Sequence, residues 1–167
     1  MISLERLRAD HAQALLAFER RNRAYFARSV PDRGDAYFAE FAARHRALLA
    51  EQDAGVCHFH VVLDEQGELT GRVNLVDVAE GAAELGYRIA EHAAGRGTAT
   101  AAVEEVRRLA ATAYGLRALT AVTTLDNPAS MAVLRRNGFL VVGDVDIDGC
   151  PGLRYHLRLS STPERQE

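Results

Sequence analysis

The sequence predicts an α/β fold, a mixed sheet of about seven strands with helices on both faces. Two observations carry that prediction. Hydrophobic spacing switches repeatedly between a period near 3.6 and a period of 2, and glycine or turn chemistry marks most of the switches. The resulting element order is β-α-α-β-β-β-α-β-α-β-β. With 167 residues, 48% hydrophobic and 26% charged, the chain fits one globular domain with a sizeable core. The domain is set at residues 1–160, followed by a loose polar tail at 161–167.

Each element has its own signal. Ile2–Leu7 alternates as a short strand. Asp10, with Gln13 three residues on, offers a helix cap, and helical spacing then runs to about Arg28. Val30-Pro31-Asp32-Arg33-Gly34 is turn chemistry, and Asp35 can cap a second helix whose inner face is Phe38, Phe41, Ala42, His45, Leu48 and Leu49. Gly55 ends it. Val56–Leu63 and Leu69–Val78 read as a hairpin around Asp64–Gly67, and Ala82–Ala90 as a third strand. In that strand Leu85, Tyr87 and Ile89 face one way, and Glu84, Gly86 and Arg88 the other.

After Ala94-Gly95-Arg96-Gly97 a long helix runs from about Thr98 to Tyr114. Ala99, Val103, Val106 and Ala110 are its inner face, and Glu104, Glu105, Arg107 and Arg108 point toward water. Leu116–Thr123 is a strand. Asn127 caps a short helix with Pro128 at its first position, and Asn137-Gly138-Phe139 closes it. Phe139–Val145 and Leu153–Leu159 form a last antiparallel pair around Asp148-Gly149.

Several function classes are excluded. A net charge of −3 gives no basic excess for nucleic acid, and no apolar run approaches a membrane span. The two cysteines, Cys57 and Cys150, make no CxxC pair and no disulfide scaffold. With no secretory signal visible at Met1, a cytoplasmic location is expected. All twenty basic residues are arginine, which we read as base bias in the genome. His58 and His60 share a strand face, yet no third ligand cluster accompanies them, so no metal is expected. Cys150 lies by a turn without an identifiable catalytic partner. Asp144, Asp146 and Asp148 alternate along one strand, which reads first as a solvated face and second as an attractor for a cationic acceptor.

The chemistry-bearing segment is the glycine pair between a strand and a long helix. Gly95 and Gly97 let the backbone approach a ligand, and the opening N–H groups with the helix dipole favour an anion such as phosphate. A Walker loop would need Gly-Lys-Ser/Thr, and a dinucleotide fingerprint a third glycine near Thr100; both are missing. A tight structural turn accounts for Gly-Arg-Gly equally well.

Some thirty residues on lies Asp126-Asn127-Pro128-Ala129-Ser130, followed by Leu134 and Asn137-Gly138-Phe139. Together the two segments resemble the GNAT superfamily of acyl-CoA-dependent N-acetyltransferases, in the form found in Rim-type ribosomal-protein alanine N-acetyltransferases. The resemblance extends over nearly the whole chain. It implies a mostly antiparallel central sheet of about seven strands flanked by four helices, and acetyl-CoA as cosubstrate without a metal. It also implies pyrophosphate held on the backbone of Gly95, Arg96, Gly97, Thr98 and Ala99, and a pantetheine arm pairing with Arg88, Ile89 and Ala90. The motif's first position is His92 here, where the family has glutamine or arginine.

Further roles follow from the same resemblance. Asn127 contacts the cofactor arm, though capping its helix is an equal account and one side chain can do both. Ser130 protonates the departing thiolate, against the alternative of a first-turn serine bonded to backbone. Glu84 is a candidate base acting through water, or a solvated strand carboxylate. A backbone N–H of the splayed strand stabilises the oxyanion. The expected partner is an amine acceptor, foremost a protein or peptide N-terminal α-amine. Small-molecule amines such as polyamines or aminoglycosides are the alternative, and a non-catalytic acyl-CoA sensor the third reading. A monomer or a homodimer fits.

Overall fold

The computed structural model describes residues 1–160 of the chain, so the polar tail assigned to 161–167 lies outside the described residues. Seven strands form one sheet in the order β1-β2-β3-β4-β5-β7-β6. They are β1 (Ser3–Arg6), β2 (His58–Leu63), β3 (Leu69–Ala79), β4 (Ala82–Ile89), β5 (Ala118–Thr124), β6 (Leu140–Ile147) and β7 (Cys150–Arg158). Every neighbouring pair is antiparallel except β4 with β5, which is parallel. The helices are α1 (Ala12–Arg21), α2 (Arg23–Phe26), α3 (Asp35–Ala39), α4 (Phe41–Asp53), α5 (Thr98–Thr112) and α6 (Pro128–Arg136).

Strand alternation divides the interior into two cores. Val62, Val73, Leu75, Ala83 and Leu85 meet the α5 face residues Ala102, Val103, Val106 and Ala110, together with Val133 and Leu134 of α6. On the opposite face Phe59 and Val61 meet Leu15 and Phe18 of α1, Phe26 of α2 and Phe41 of α4. Adjacent Val61 and Val62, both without exposed surface, thus belong to different cores, as a period of two requires.

The four helices read from sequence become six because two breaks divide the N-terminal ones. Asn22 (φ −101°, ψ 7°) separates α1 from α2: its amide donates to the Phe18 carbonyl at 2.9 Å, and its Oδ1 accepts the Glu91 N–H at 3.0 Å. Glu40 (φ −102°, ψ 14°) separates α3 from α4. Neither expected acidic cap forms. The Arg8 N–H goes to Nδ1 of His11 at 2.9 Å, leaving Asp10 to pair with the Arg8 side chain. Gly34, with φ +86°, occupies the cap position of α3, and Asp35 instead accepts from Arg23 at 2.8 Å. Arg107 does not point to water either: it donates to the Asn137 carbonyl at 2.7 Å and ties α5 to the end of α6.

That end of α6 closes as the sequence suggests. Gly138 is at φ +86°, its N–H bonds the Arg135 carbonyl at 3.0 Å, and the Phe139 N–H bonds the Leu134 carbonyl at 3.0 Å, a Schellman closure. Asp144, Asp146 and Asp148 are all exposed, the solvated reading of that run. No helix among the described residues is long and apolar enough to cross a membrane.

His58 and His60 are spent on packing. His58 stacks on Tyr114 with centroids 3.7 Å apart and planes 5° from parallel, and its Nδ1 lies 3.1 Å from Arg6. His60 uses both ring nitrogens, one on the Val73 carbonyl at 3.1 Å and one on the Tyr114 hydroxyl. Burial pushes His60 down to about 4. Its unfolded value is near 6.5, so between those limits the unfolded chain binds more protons and stability rises with pH. From pH 7 to pH 5 this group alone costs about 2 kcal/mol, on the order of 4–8 °C in midpoint. Thermal unfolding across that range should show the fall, and His60→Gln should flatten most of it; an equally steep slope in the variant would assign the acid sensitivity elsewhere.

Candidate active site

The defining feature is a strand pair that stops early. β4 pairs with β5 only over Ala82–Glu84 against Ala118–Thr120. Beyond that point β4 continues on β3 as far as Ile89, while β5 continues on β7 to Thr124. The Ala90 N–H bonds the Thr70 carbonyl at 2.8 Å, on the β3 side. Because N–H groups alternate in direction along a strand, those of Ile89 and Tyr87 turn toward the opening instead. Gly71 of β3 makes this position possible: a Cβ there would lie 2.6 Å from Ile89 Cδ1 and 2.7 Å from the Arg88 carbonyl oxygen.

A cavity of about 510 Å³ runs along this open edge, within the range of small-molecule sites. One end is the start of α5. Gly95 and Gly97 sit at φ +72° and +77°, and no side chain caps the helix. Gly95, Gly97, Thr98 and Ala99 line the wall, so first-turn N–H groups that no intrahelical carbonyl can satisfy border the open space. N–H groups so placed suit an anion. Arg96 is exposed and outside the wall. The flank at His92 is held without that side chain, through the Asn22 bond to the Glu91 N–H.

At the middle of the cavity α6 meets β4. Asn127 accepts the Ser130 N–H at 3.2 Å, the cap expected from Asn-Pro, and both residues line the wall. Ser130 Oγ lies 2.8 Å from the Tyr87 hydroxyl. Burial raises the Tyr87 phenol above its ordinary value, partly offset by the hydrogen bond to Ser130, so the pair holds its proton at neutral pH. The serine hydroxyl thus has a side-chain partner rather than a backbone one, and either hydroxyl of the pair can be the donor. Tyr25, Phe26, Ser29 and Val30 around α2 form a further part of the wall, with Arg88 beside them.

Of the residues singled out from sequence, Arg88, Ile89, Gly95, Gly97, Thr98, Ala99, Asn127 and Ser130 come together around this cavity. Arg96, Ala90 and Glu84 do not line it. Ala90 is fully buried, and its N–H is taken by the Thr70 carbonyl. Glu84 stands opposite Val76 and Thr120, where β5 begins to diverge. Sequence reasoning missed Tyr87, Arg136 and the α2 wall. Tyr87 was recognisable as a polar-tipped residue on an otherwise apolar strand face; nothing in the sequence marked α2.

The acetyltransferase (GNAT) domain family matches residues 2–140. No curated protein matches the chain. Among solved structures, the ribosomal-protein-S5-alanine acetyltransferase of Vibrio fischeri superposes with a TM-score of 0.87 at 20% identity, over 97% of this chain and 96% of that one. RimJ of Mycobacterium smegmatis, in complex with CoA-disulfide, gives 0.85 at 24% identity over 98% and 84%. The spermidine N-acetyltransferase of Vibrio cholerae, in complex with CoA and spermine, gives 0.78 at 19% identity over 96% of each chain. These likenesses agree with the strand order and helix placement described above.

Asn127→Ala leaves the Ser130 N–H without its cap and should cost about 1 kcal/mol. The expected drop of about 2–4 °C in unfolding midpoint is read by calorimetry, and an unchanged midpoint would remove the capping role.

Proposed function

The chain belongs to the acetyltransferase (GNAT) domain family, and on that premise we propose that its acceptor is the α-amine of a peptide or protein N-terminus. The observation that carries this reading is the charge of the cavity. Among the described residues its wall includes Arg88 and Arg136 and no Asp, Glu or His. A polyamine would bring several positive charges to a wall that offers no carboxylate, so the polycation reading loses support.

The acetyl donor is acetyl-CoA, and the site fits it. The uncapped turn Gly95–Ala99 suits a diphosphate, and the unpaired backbone of β4 suits an extended arm carrying amide groups. When bound, acetyl-CoA supplies an acyl group activated as a thioester. The protein's own work is then to admit a neutral amine, stabilise negative charge and return one proton. The Ile89 and Tyr87 N–H groups face the place where that charge develops. Ser130 donates a proton from Oγ to the departing thiolate, Tyr87, 2.8 Å away, replaces it, and the proton that the amine sheds as the amide forms restores the Tyr87 hydroxyl.

With no base in the wall, the amine has to arrive neutral. An α-amine of pKa about 7.7–8.0 is roughly a tenth neutral at pH 7, whereas a lysine-type amine near 10.4 is neutral in well under a thousandth of molecules. The same argument favours an N-terminus over an alkylamine. Rim-type enzymes, which the motifs resemble, also act on such termini. Glu84, outside the wall, would act on the amine only through an intervening water.

Thiol release from acetyl-CoA with a panel of N-terminal peptides, spermidine and an aminoglycoside tests the reading. Peptides should turn over and the polycations should not; preferential acetylation of spermidine would overturn it. Ser130→Ala should lower kcat about a hundredfold while leaving acetyl-CoA affinity nearly intact, since the Asn127 cap uses the backbone N–H and not the hydroxyl. Tyr87→Phe should lie between the two. Equal kcat in Ser130→Ala would end the serine's role. Gly97→Val should instead abolish the stabilisation of about 2.7 kcal/mol that a hundredfold excess of ligand over Kd produces, because φ +77° is strained for valine and its side chain would project at the diphosphate cradle.

A further inference from the structure

We propose that the acceptor carries a carboxylate close to its reactive amine, and that Arg88 receives it. The inference rests on the peptide-amine reading above and narrows it to N-termini with Asp or Glu as the first or second residue. Three observations converge on it.

The first is a charge imbalance behind the cavity wall. Glu19 of α1 is 1% exposed, and three guanidiniums converge on its carboxylate. Arg33 binds both oxygens at 3.1 and 3.2 Å, Arg72 donates to Oε1 at 3.1 Å, and Arg88 reaches Oε2 at 3.4 Å. Three positive charges face one negative charge, so the cluster has room for a further anion. The second is incomplete bonding. Arg72 is 5% exposed and its Nε is buried without a partner, while Arg88 has only the one long bond to Glu19. Desolvation, followed by repulsion from Arg33, pushes the Arg88 guanidinium below its ordinary value; Glu19 pulls the other way and Arg72 adds to the repulsion.

The third is placement. Arg88 is the one member of the cluster that lines the cavity, with 22% of its side chain exposed and its guanidinium 5.0 Å from the centre of the Phe26 ring. Tyr87 reaches Ser130 on the α6 side of the sheet, so its strand neighbour Arg88 points to the opposite face, toward α1 and α2. The start of α5 packs on the Tyr87 face of the sheet, and the Arg88 cluster lies on the other face. An anion at Arg88 comes with the acceptor rather than the donor. Arg88 and Ser130 line the same cavity of about 510 Å³, so a carboxylate on the first or second residue of the acceptor, at most about 7 Å of chain from the amine, spans from one to the other.

The test is kcat/KM by thiol release for peptides that differ only at the first two residues, with Asp or Glu replaced by Asn, Gln or Lys. Acidic peptides should be favoured over their amide isosteres by about tenfold or more, the scale of a charge-assisted hydrogen bond. That preference should shrink as salt rises. Arg88→Gln should reduce the ratio toward one, Arg88→Lys should restore part of it, and the midpoint shift with acetyl-CoA should persist in both. Equal rates for acidic and amide peptides in the wild-type chain would overturn the inference while leaving the peptide-amine reading standing, and this comparison requires no variant to fold. Loss of the acetyl-CoA shift in Arg88→Gln, with selectivity unchanged, would assign Arg88 to the donor and also overturn it. Turnover of spermidine with no peptide accepted would remove the peptide reading and this inference together.

Discussion

The site depends on one broken ladder. Two parallel strands that paired along their full length would satisfy their backbone groups and leave no room between them. Here β4 and β5 share three residue pairs and then separate, β4 staying on β3 and β5 on β7. The cost is a row of unpaired N–H and C=O groups on β4, each worth about 1–3 kcal/mol if buried dry. A ligand with an extended amide backbone offsets that cost, so an edge strand in the middle of a sheet is in itself a binding element. Gly71 fixes the direction of that edge by allowing the end of β4 to lie closer than any side chain would permit.

The second constraint is the Glu19 cluster, which fastens the N-terminal helices to the sheet. Glu19 lies on α1, Arg33 before α3, and Arg72 and Arg88 on the adjacent strands β3 and β4. A single carboxylate thus joins two helical segments to the strand that bears the site. Removing it would leave three buried or half-buried cations without their counter-ion, a loss on the order of 3–5 kcal/mol for a broken buried pair. Burying an ion group is a poor way to gain stability. Its presence directly behind the cavity wall makes more sense as the means of presenting one of those cations to a ligand.

How much of this could be read from the chain follows from the range of each signal. The element order, the helix closure at Asn137-Gly138-Phe139, the Asn127 cap and the glycine turn before α5 are local features, written in neighbouring residues, and the structure has each of them. The caps at Asp10 and Asp35 failed because arginines two or more residues away compete for the same carboxylates. The break at Asn22 serves a bond to Glu91, sixty-nine positions on, and no periodicity contains that information. Tyr87 with Ser130 and Glu19 with its three arginines are likewise long-range pairs. In sequence Glu19 is one more charged residue on an amphipathic helix; only the folded chain shows that it is buried.

The electrostatic plan of the cavity then becomes coherent. Its wall combines uncapped helix N–H groups, a guanidinium in excess of its counter-ion, and the neutral donors Ser130 and Tyr87. Such a field disfavours an ammonium at the reacting position and favours its neutral form, which is the nucleophile. It does so by making the charged form of the substrate the costlier one to bind. A carboxylate on the acceptor would neutralise the Arg88 end when it docks, so the same contact that selects the acceptor would complete the charge balance of the closed site. Recognition and activation would then be two consequences of one uncompensated arginine.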